Sequence, residues 1–195
     1  IGSGLVGSEM CIRDSLIKVN SLLDYEIIER LYKASQAGVE IHLIVRGICS
    51  LVPGVEGVSE HISVRSIVGR FLEHSRIFRF ENGGDPLLYL GSADLMPRNL
   101  DRRVELLFPV EEAKIRMRLE AVLAMQLEDT VNSRIQGPDA LYRMAPRRGK
   151  HPMDSQSAFL KLSQEREQAY LAEQSENTRF LPCLKADGES APSKQ

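Results

Sequence analysis

The sequence has few cysteines, no long apolar run and no excess of charge. Its three cysteines are scattered without metal-ligand spacing, which argues against a disulfide scaffold and fits a reducing compartment. No apolar run approaches membrane-spanning length, and no signal-peptide pattern is present. The formal net charge of −2 excludes a bulk electrostatic signal for nucleic acid.

Lysine is absent between Lys33 and Lys114, although eight arginines lie there: Arg46, Arg65, Arg70, Arg76, Arg79, Arg98, Arg102 and Arg103. A merely solvated surface accepts either residue, whereas bidentate recognition of anions selects arginine. The pattern therefore favours a site for phosphate groups. The alternative is an exposed strand face on which these arginines form ion pairs with Glu73, Asp101 and Glu105.

The run His74-Ser75-Arg76 places an imidazole two residues from a guanidinium, which predicts one shared face of a β-strand. The strand over 87–90 is expected to continue so that Ser92 and Asp94 share a face too. An imidazole can transfer a proton near neutral pH or bond to phosphorus, and arginine neutralises phosphate oxygens. This group predicts phosphoryl chemistry.

The first half of the chain predicts a right-handed β-α-β unit. We expect a strand over 16–20, a helix that begins at a Ser21-x-x-Asp24 capping box and extends to Ala37 with Gly38 as its stop, and a buried parallel strand over 39–45. Arg46 then lies at the carboxyl edge of a parallel sheet, where ligands usually bind.

The second half predicts a hairpin and two further helices. The turn 81–86 joins strands expected over 75–80 and 87–91, and a strand is expected over 62–67 and another over 103–110. Helices are expected over 111–127, with Ile115, Leu119, Val122 and Leu123 on its buried face, and over 155–174. Residues 177–195 are expected to be disordered. Together these patterns predict an α/β fold, a mixed sheet with flanking helices.

Several motifs, in order, resemble the C-terminal catalytic domain of the long, phospholipase-D-like polyphosphate kinases. They are Asn20-Ser21-Leu22-Leu23-Asp24, Ala34 to Val39, Ile44 to Cys49, Arg65 to Arg76 and Gly91 to Arg103. The resemblance covers residues 16–145, and residues 146–195 are expected to be a C-terminal extension. Residues 1–15 are similar to translated sequencing-adapter sequence, and we expect them to be an artefact.

The resemblance implies a phospholipase-D-like half-domain and a role for each matching residue. His74 is implied to be the second active-site histidine and to bind nucleotide with Arg46. Arg76, Arg98 and Arg103 are implied to bind phosphate, with Ser92 and Asp94 in support. Arg76 and Asp94 stand where the phospholipases have lysine and asparagine. The phosphohistidine and the magnesium-associated arginines are implied to lie in an upstream lobe, outside this chain.

The expected function is transfer of the ATP γ-phosphate to inorganic polyphosphate, reversibly, by the intact protein; the chain alone is expected to be inactive. Two alternatives stay open, a phospholipase-D-type phosphodiesterase or nuclease half-domain and a non-catalytic polyanion-binding module. The expected partners are ATP, ADP, magnesium, polyphosphate and the upstream lobes. The intact protein is expected to be a cytoplasmic homo-oligomer that could also lie at the membrane surface. We expect no nucleic-acid partner and no metal ligands in this chain.

Overall fold

A mixed β-sheet carries the fold. The computed structural model describes residues 14–178 except 148 and 150, and of 175–178 only the backbone. In that part of the chain the sheet has eight strands in the order β6-β5-β4-β1-β2-β3-β7-β8. The strands are β1 Ser15–Val19, β2 Ile41–Val45, β3 Ile62–Ile67, β4 Arg76–Phe80, β5 Leu87–Gly91, β6 Leu107–Pro109, β7 Ser133–Gln136 and β8 Tyr142–Met144.

Four helices lie in the described part of the chain, and two of them, α1 and α3, pack on the sheet. The helices are α1 Tyr25–Gln36, α2 Pro97–Arg102, α3 Ala113–Glu128 and α4 Ser155–Thr178. Ile27, Ile28 and Leu31 of α1 pack against one apolar cluster of the sheet. Leu119 and Leu127 of α3 pack against a second cluster. The predicted α/β architecture, a mixed sheet with flanking helices, is therefore confirmed.

The centre of the sheet is parallel, as the apolar character of its strands predicts. β1 pairs with β2, and β2 with β3, in parallel. Leu43, Val45 and Val64 are at most 1% exposed. Strands that are buried on both faces need no polar alternation. Because β1 and β2 run parallel, the residues that follow them emerge at the same edge of the sheet.

Helix α1 begins later than the sequence predicts. Its N-cap is Asp24, whose Oδ1 accepts a hydrogen bond from the Ile27 N–H at 3.0 Å. Ser21 is not the cap, because the chain from Leu22 to Asp24 first crosses the sheet edge and bonds to Ile48 and Leu95. The aspartate of the expected capping box is thus the real start of the helix.

The hairpin of β4 and β5 is confirmed, with Phe78 opposite Tyr89. The strand predicted over 103–110 is wrong for its first half, since only Leu107–Pro109 pairs with β5. Just before this segment, residues 97–102 form the short helix α2, with Pro97 at its first position. Proline suits that position because its missing N–H has no helical partner there.

Two further expectations about the second half need correction, and two of its strands were not expected. Ile115 is 44% exposed and does not lie on the buried face of α3, where Leu123 and Gln126 are buried. Strands β7 and β8 have no counterpart in the sequence prediction. Helix α4 is confirmed and extends to Thr178, so it includes the first two residues of the segment expected to be disordered; residues 179–195 lie outside the described part.

The chain divides into two compact units, one that ends at Gln156 and one that begins at Ser157. The first contains the whole sheet, α1, α2, α3 and the first two residues of α4. Strand β1 begins at Ser15, one residue before the boundary expected from the sequence; residues 1–13 lie outside the described part. The described residues include no helix that is long and apolar enough to cross a membrane.

Candidate functional site

Two polar side chains meet where the parallel strands β1 and β2 end. Asn20 follows β1 and Arg46 follows β2. The Nε and Nη2 groups of Arg46 donate to Oδ1 of Asn20 at 3.2 and 3.0 Å. The Gly47 N–H donates to the Asn20 carbonyl at 2.7 Å. Arg46 thus lies at the carboxyl edge of the sheet, as its sequence position predicts.

Asp94 accepts four hydrogen bonds at this edge. Its Oδ1 accepts from the Asn20 N–H at 2.8 Å and from Nδ2 of Asn20 at 3.1 Å. Nε and Nη2 of Arg76 donate to Oδ1 and Oδ2 at 3.2 and 3.0 Å. Burial raises the pKa of Asp94, but the hydrogen bonds from Arg76 and Asn20 outweigh it and hold that pKa below its usual range. Asp94 is therefore a carboxylate anchor at neutral pH.

His74 lies in the loop before β4 and not on a strand, so the expected shared strand face of His74 and Arg76 is wrong. The strand begins only at Arg76. Nη1 of Arg76 instead donates to the His74 carbonyl at 3.1 Å. His74 is exposed, and its imidazole has no hydrogen-bond partner among the described residues. The ring is thus accessible to a ligand while its backbone is fastened to the Arg76–Asp94 pair.

Ser92 and Asp94 do not share a strand face either, because β5 ends at Gly91. The Ser92 hydroxyl donates to Oε2 of Glu105 and accepts from the Leu106 N–H. Glu105 also accepts from Nδ2 of the buried Asn99. The hydrogen bonds from Ser92 and Asn99 lower the pKa of Glu105. Ser92 therefore fastens the connection from β5 to β6.

Arg98 and Arg103 are exposed and belong to the α2 region. Arg98 lies within α2, and Arg103 is its C-cap residue. Arg103 acts on Glu105 through its charge, since it contributes to the lowered pKa of that carboxylate. No hydrogen bond within the described residues joins either guanidinium to the Asn20–Asp94 group. Both side chains are thus available to an anionic ligand.

Other arginines of the lysine-free stretch have internal partners. Arg65 donates to the Asp129 carbonyl at 2.6 Å and to Ser133 Oγ at 2.9 Å. Arg79 is 4% exposed and pairs with Glu81 at 2.7 Å. Arg79 also lies 3.5 Å from Glu120 of α3. Among the described residues no ion pair joins an arginine to Glu73, Asp101 or Glu105, the partners expected for an exposed strand face.

Magnesium takes oxygen ligands, so its fit to residues 14–147, 149 and 151–178 depends on how their carboxylates are placed. These residues contain no group of three or more His, Cys, Asp or Glu side chains placed to hold a metal. Asp94 is the buried carboxylate of the site, and Arg76 and Asn20 occupy both of its oxygens. The donor set at this edge therefore does not fit magnesium.

Sequence reasoning missed Asn20 and Lys18. Asn20 connects Arg46 to Asp94, and Lys18 lies 2% exposed on β1, below the loop that carries His74. The available signal was a polar residue at the end of a buried strand and a lysine between apolar strand residues. Both are informative because a buried polar group requires partners.

The fold and the site together define an α/β domain with an arginine–carboxylate network at the carboxyl edge of its parallel strands. A family profile described as "Polyphosphate kinase C-terminal domain 2" matches residues 12–156. The chain belongs to this family of polyphosphate kinase C-terminal domains.

Known relatives agree with this assignment. The chain is 46% identical over 179 residues to a polyphosphate kinase of Lactiplantibacillus plantarum, covering 89% of this chain and 24% of the relative. It is 53% identical over 146 residues to one from Pseudomonas aeruginosa, covering 74% and 21%. The crystal structure of polyphosphate kinase from Porphyromonas gingivalis superposes with a TM-score of 0.76 at 38% identity, covering 80% and 24%. The chain thus spans about a quarter of these relatives' length.

Proposed function

We propose that this domain forms one wall of the site in which a longer protein transfers the ATP γ-phosphate, reversibly, to inorganic polyphosphate. The arrangement of Arg46 carries the proposal. Two of its nitrogens bind Asn20, which leaves three of the five guanidinium N–H groups without a partner among the described residues. A guanidinium held at one edge and open at the other suits a tetrahedral anion.

His74 is the candidate catalytic residue of this wall. A chain of hydrogen bonds leads from Arg46 through Asn20 to Asp94. It continues from Asp94 through Arg76 to the His74 carbonyl. The imidazole would transfer a proton or stabilise charge at the transferring phosphate. Two observations support that role: the His74 side chain is exposed, and its ring nitrogens have no hydrogen-bond partner among the described residues, so both nitrogens are available to a ligand.

Two sets of arginines take different parts in this proposal. Arg98 and Arg103, which are exposed, would bind the more distant phosphates of the chain. Arg76 donates from all three of its nitrogens to Asp94 and the His74 carbonyl. We therefore assign Arg76 chiefly to holding the site together, with Asp94 and Ser92 as supporting groups.

The rest of the proposal concerns the longer protein. The phosphohistidine and the magnesium ligands would lie in its other lobes, and ATP, ADP and polyphosphate would be its substrates. A cytoplasmic homo-oligomer is the proposed state. The 195-residue chain alone is expected to form no polyphosphate, because groups that act as one catalytic unit fail together. Incubation of the purified chain with ATP and magnesium checks this, and polyphosphate formation would contradict it.

Calorimetric titration of the chain with ATP and with tripolyphosphate tests the anion site. Arg46→Lys keeps the charge but loses the fork, so we expect binding weaker by about 1.5–3 kcal/mol, roughly 10- to 150-fold. Arg143→Lys is the matched control, since Arg143 is an exposed arginine whose partner is Asp139. Equal affinities of wild type and Arg46→Lys, or no binding by the wild type, would refute the proposal.

A further inference from the structure

A polar cluster around the buried Lys18 lies under the loop that carries His74. We call it the Lys18 cluster; it consists of Lys18, Glu73, Ser75, Gln126 and Gln156. Nζ of Lys18 donates to Ser75 Oγ at 2.9 Å and to the Ser75 carbonyl at 3.2 Å. The same atom lies 3.4 Å from Oε2 of Glu73. Lys18 thus holds the residues on both sides of His74.

Two glutamines complete the cluster. Nε2 of Gln126 donates to Glu73 Oε2 at 2.9 Å, and Nε2 of Gln156 donates to Oε1 at 3.1 Å. Gln156 also holds Phe71, accepting from its N–H at 2.9 Å and donating to its carbonyl at 2.8 Å. The loop is therefore fixed at residues 71, 73 and 75.

Close packing at the start of the loop adds to this restraint. A Cβ on Gly69 would lie 2.6 Å from Oε1 of Gln156 and 3.2 Å from Cγ of Asn132. The first contact is shorter than a Cβ tolerates and the second is tighter than most Cβ contacts, so the chain at Gly69 approaches Gln156 closely because it carries no side chain there. The imidazole of His74, by contrast, has no partner among the described residues, so restraint ends at its backbone.

An ammonium group in this position is costly for the fold. The side chain of Lys18 is 3% exposed and that of Glu73 is 16% exposed. Burial lowers the pKa of Lys18 even though Glu73 opposes the shift. Apolar side chains of similar volume often replace a buried ion pair at no loss of stability. The cluster is therefore better explained by the geometry it imposes than by the stability it adds.

We propose that Lys18 is a positioning residue for His74: by holding Glu73 and Ser75 it fixes the direction in which the imidazole leaves the loop. The role of His74 toward phosphate rests on the function proposed above. The ordering of the loop by Lys18 does not, so the two can fail separately.

The test uses the ¹⁵N-labelled 195-residue chain and its Lys18→Met variant, which keeps the length of the side chain and removes the ammonium. Lys33→Met is the matched control, because Lys33 is 67% exposed and pairs only with Glu29 across one helical turn. We expect backbone order parameters at residues 73–75 to fall in Lys18→Met from about 0.85 to below about 0.6, with β1 and β2 unchanged. Lys33→Met should match the wild type.

A second measurement separates positioning from general damage. Arg46 provides the anion contact, so the tripolyphosphate affinity of Lys18→Met should stay within about threefold of the wild type. The chemical-shift change of the His74 imidazole on binding should fall by about half or more, because the ring no longer has one fixed direction. If Lys18 had a purely structural role, its substitution would lower the melting temperature. The order of the loop and the chemical-shift change of the His74 imidazole on binding would then stay unchanged in the folded protein.

Wild-type order at residues 73–75 in folded Lys18→Met would overturn the proposal. If Lys18→Met does not fold, Lys18→Gln decides, since its neutral amide removes the ammonium from both Glu73 and Ser75 and leaves a polar group on β1. Order unchanged in Lys18→Gln would then overturn the proposal, and a local loss would support it. If the wild type binds no tripolyphosphate, the anion-site function fails, while the order parameters still decide the role of Lys18.

Discussion

Asp94→Ala tests whether the network at the sheet edge is held by one carboxylate. The substitution leaves the Arg76 guanidinium, whose side chain is 12% exposed, and the Asn20 N–H without their acceptor. Removal of one partner from a buried ion pair costs about 3–5 kcal/mol, since the remaining charge stays buried. For a domain of this size that corresponds to a loss of roughly 6–20 °C in melting temperature.

Urea unfolding followed by circular dichroism measures the free energy of unfolding for this comparison. Asp101→Ala is the control, because Asp101 is an exposed aspartate of α2 and its loss should change stability by less than about 0.5 kcal/mol. The double variant Arg76→Met/Asp94→Ala should lose less than the sum of the single losses, since the charge that Asp94→Ala leaves unpaired is absent. A loss below about 1 kcal/mol in Asp94→Ala would refute the reasoning.

The same carboxylate predicts a pH dependence. The pKa of Asp94 is lower in the folded chain than its ordinary value, so the unfolded chain binds the proton more readily. Its contribution to stability is complete above the unfolded pKa of about 3.9 and is lost as the pH falls through the folded pKa. The stability difference between wild type and Asp94→Asn should therefore shrink below about pH 4, and a difference that stays constant to pH 2 would contradict this.

Three further predictions concern single residues. Gly47→Ala should destabilise the fold by about 1–3 kcal/mol in the same urea assay, because its Cβ would lie 2.8 Å from the Asn20 carbonyl oxygen; unchanged stability would show that the edge can shift. Ultraviolet titration should find one tyrosine ionising at a pH of about 12, since burial raises the pKa of Tyr142, and Tyr142→Phe should remove that phase. The chain should not cleave bis(p-nitrophenyl) phosphate. His42 and His61 are paired with Ser63 and Glu40, His151 is exposed on the segment before α4, and the imidazole of His74 alone cannot serve as both nucleophile and acid; cleavage lost in His74→Ala would favour the phosphodiesterase alternative.

The elements with clear periodicity or turn chemistry were predictable from the sequence. The predicted strand 62–67 and the second hairpin strand 87–91 match β3 and β5 at both ends. The strand predicted over 103–110 is too long, because the chain before Leu107 has no partner strand. Pairing is a tertiary property, and an apolar run alone does not reveal it.

The candidate site was predictable in its residue types but not in its connections. The position of Arg46 at the sheet edge was predictable, because the sequence pattern indicated both the strand before it and the direction of that strand. The pairing of Arg76 with Asp94 spans 18 residues, and that of Lys18 with Ser75 spans 57. Such contacts depend on the order of strands in the sheet, which places β4 beside β1 and which the sequence pattern does not specify.

The connections also divide the site into a fixed part and a free part. The fixed part is hydrogen-bonded internally and to the loop of His74, so it cannot reorganise easily when a ligand binds; it consists of Asn20, Asp94, Arg76 and Lys18. The free part consists of the unpaired N–H groups of Arg46 and the His74 imidazole, which can hydrogen-bond to a ligand. Catalysis of phosphoryl transfer depends largely on positioned charge, which a rigid hydrogen-bonded network beneath a few unpaired groups would provide. Substitutions in the network should therefore change stability and geometry together. Substitutions of the unpaired groups should change ligand binding or catalysis and leave the fold intact.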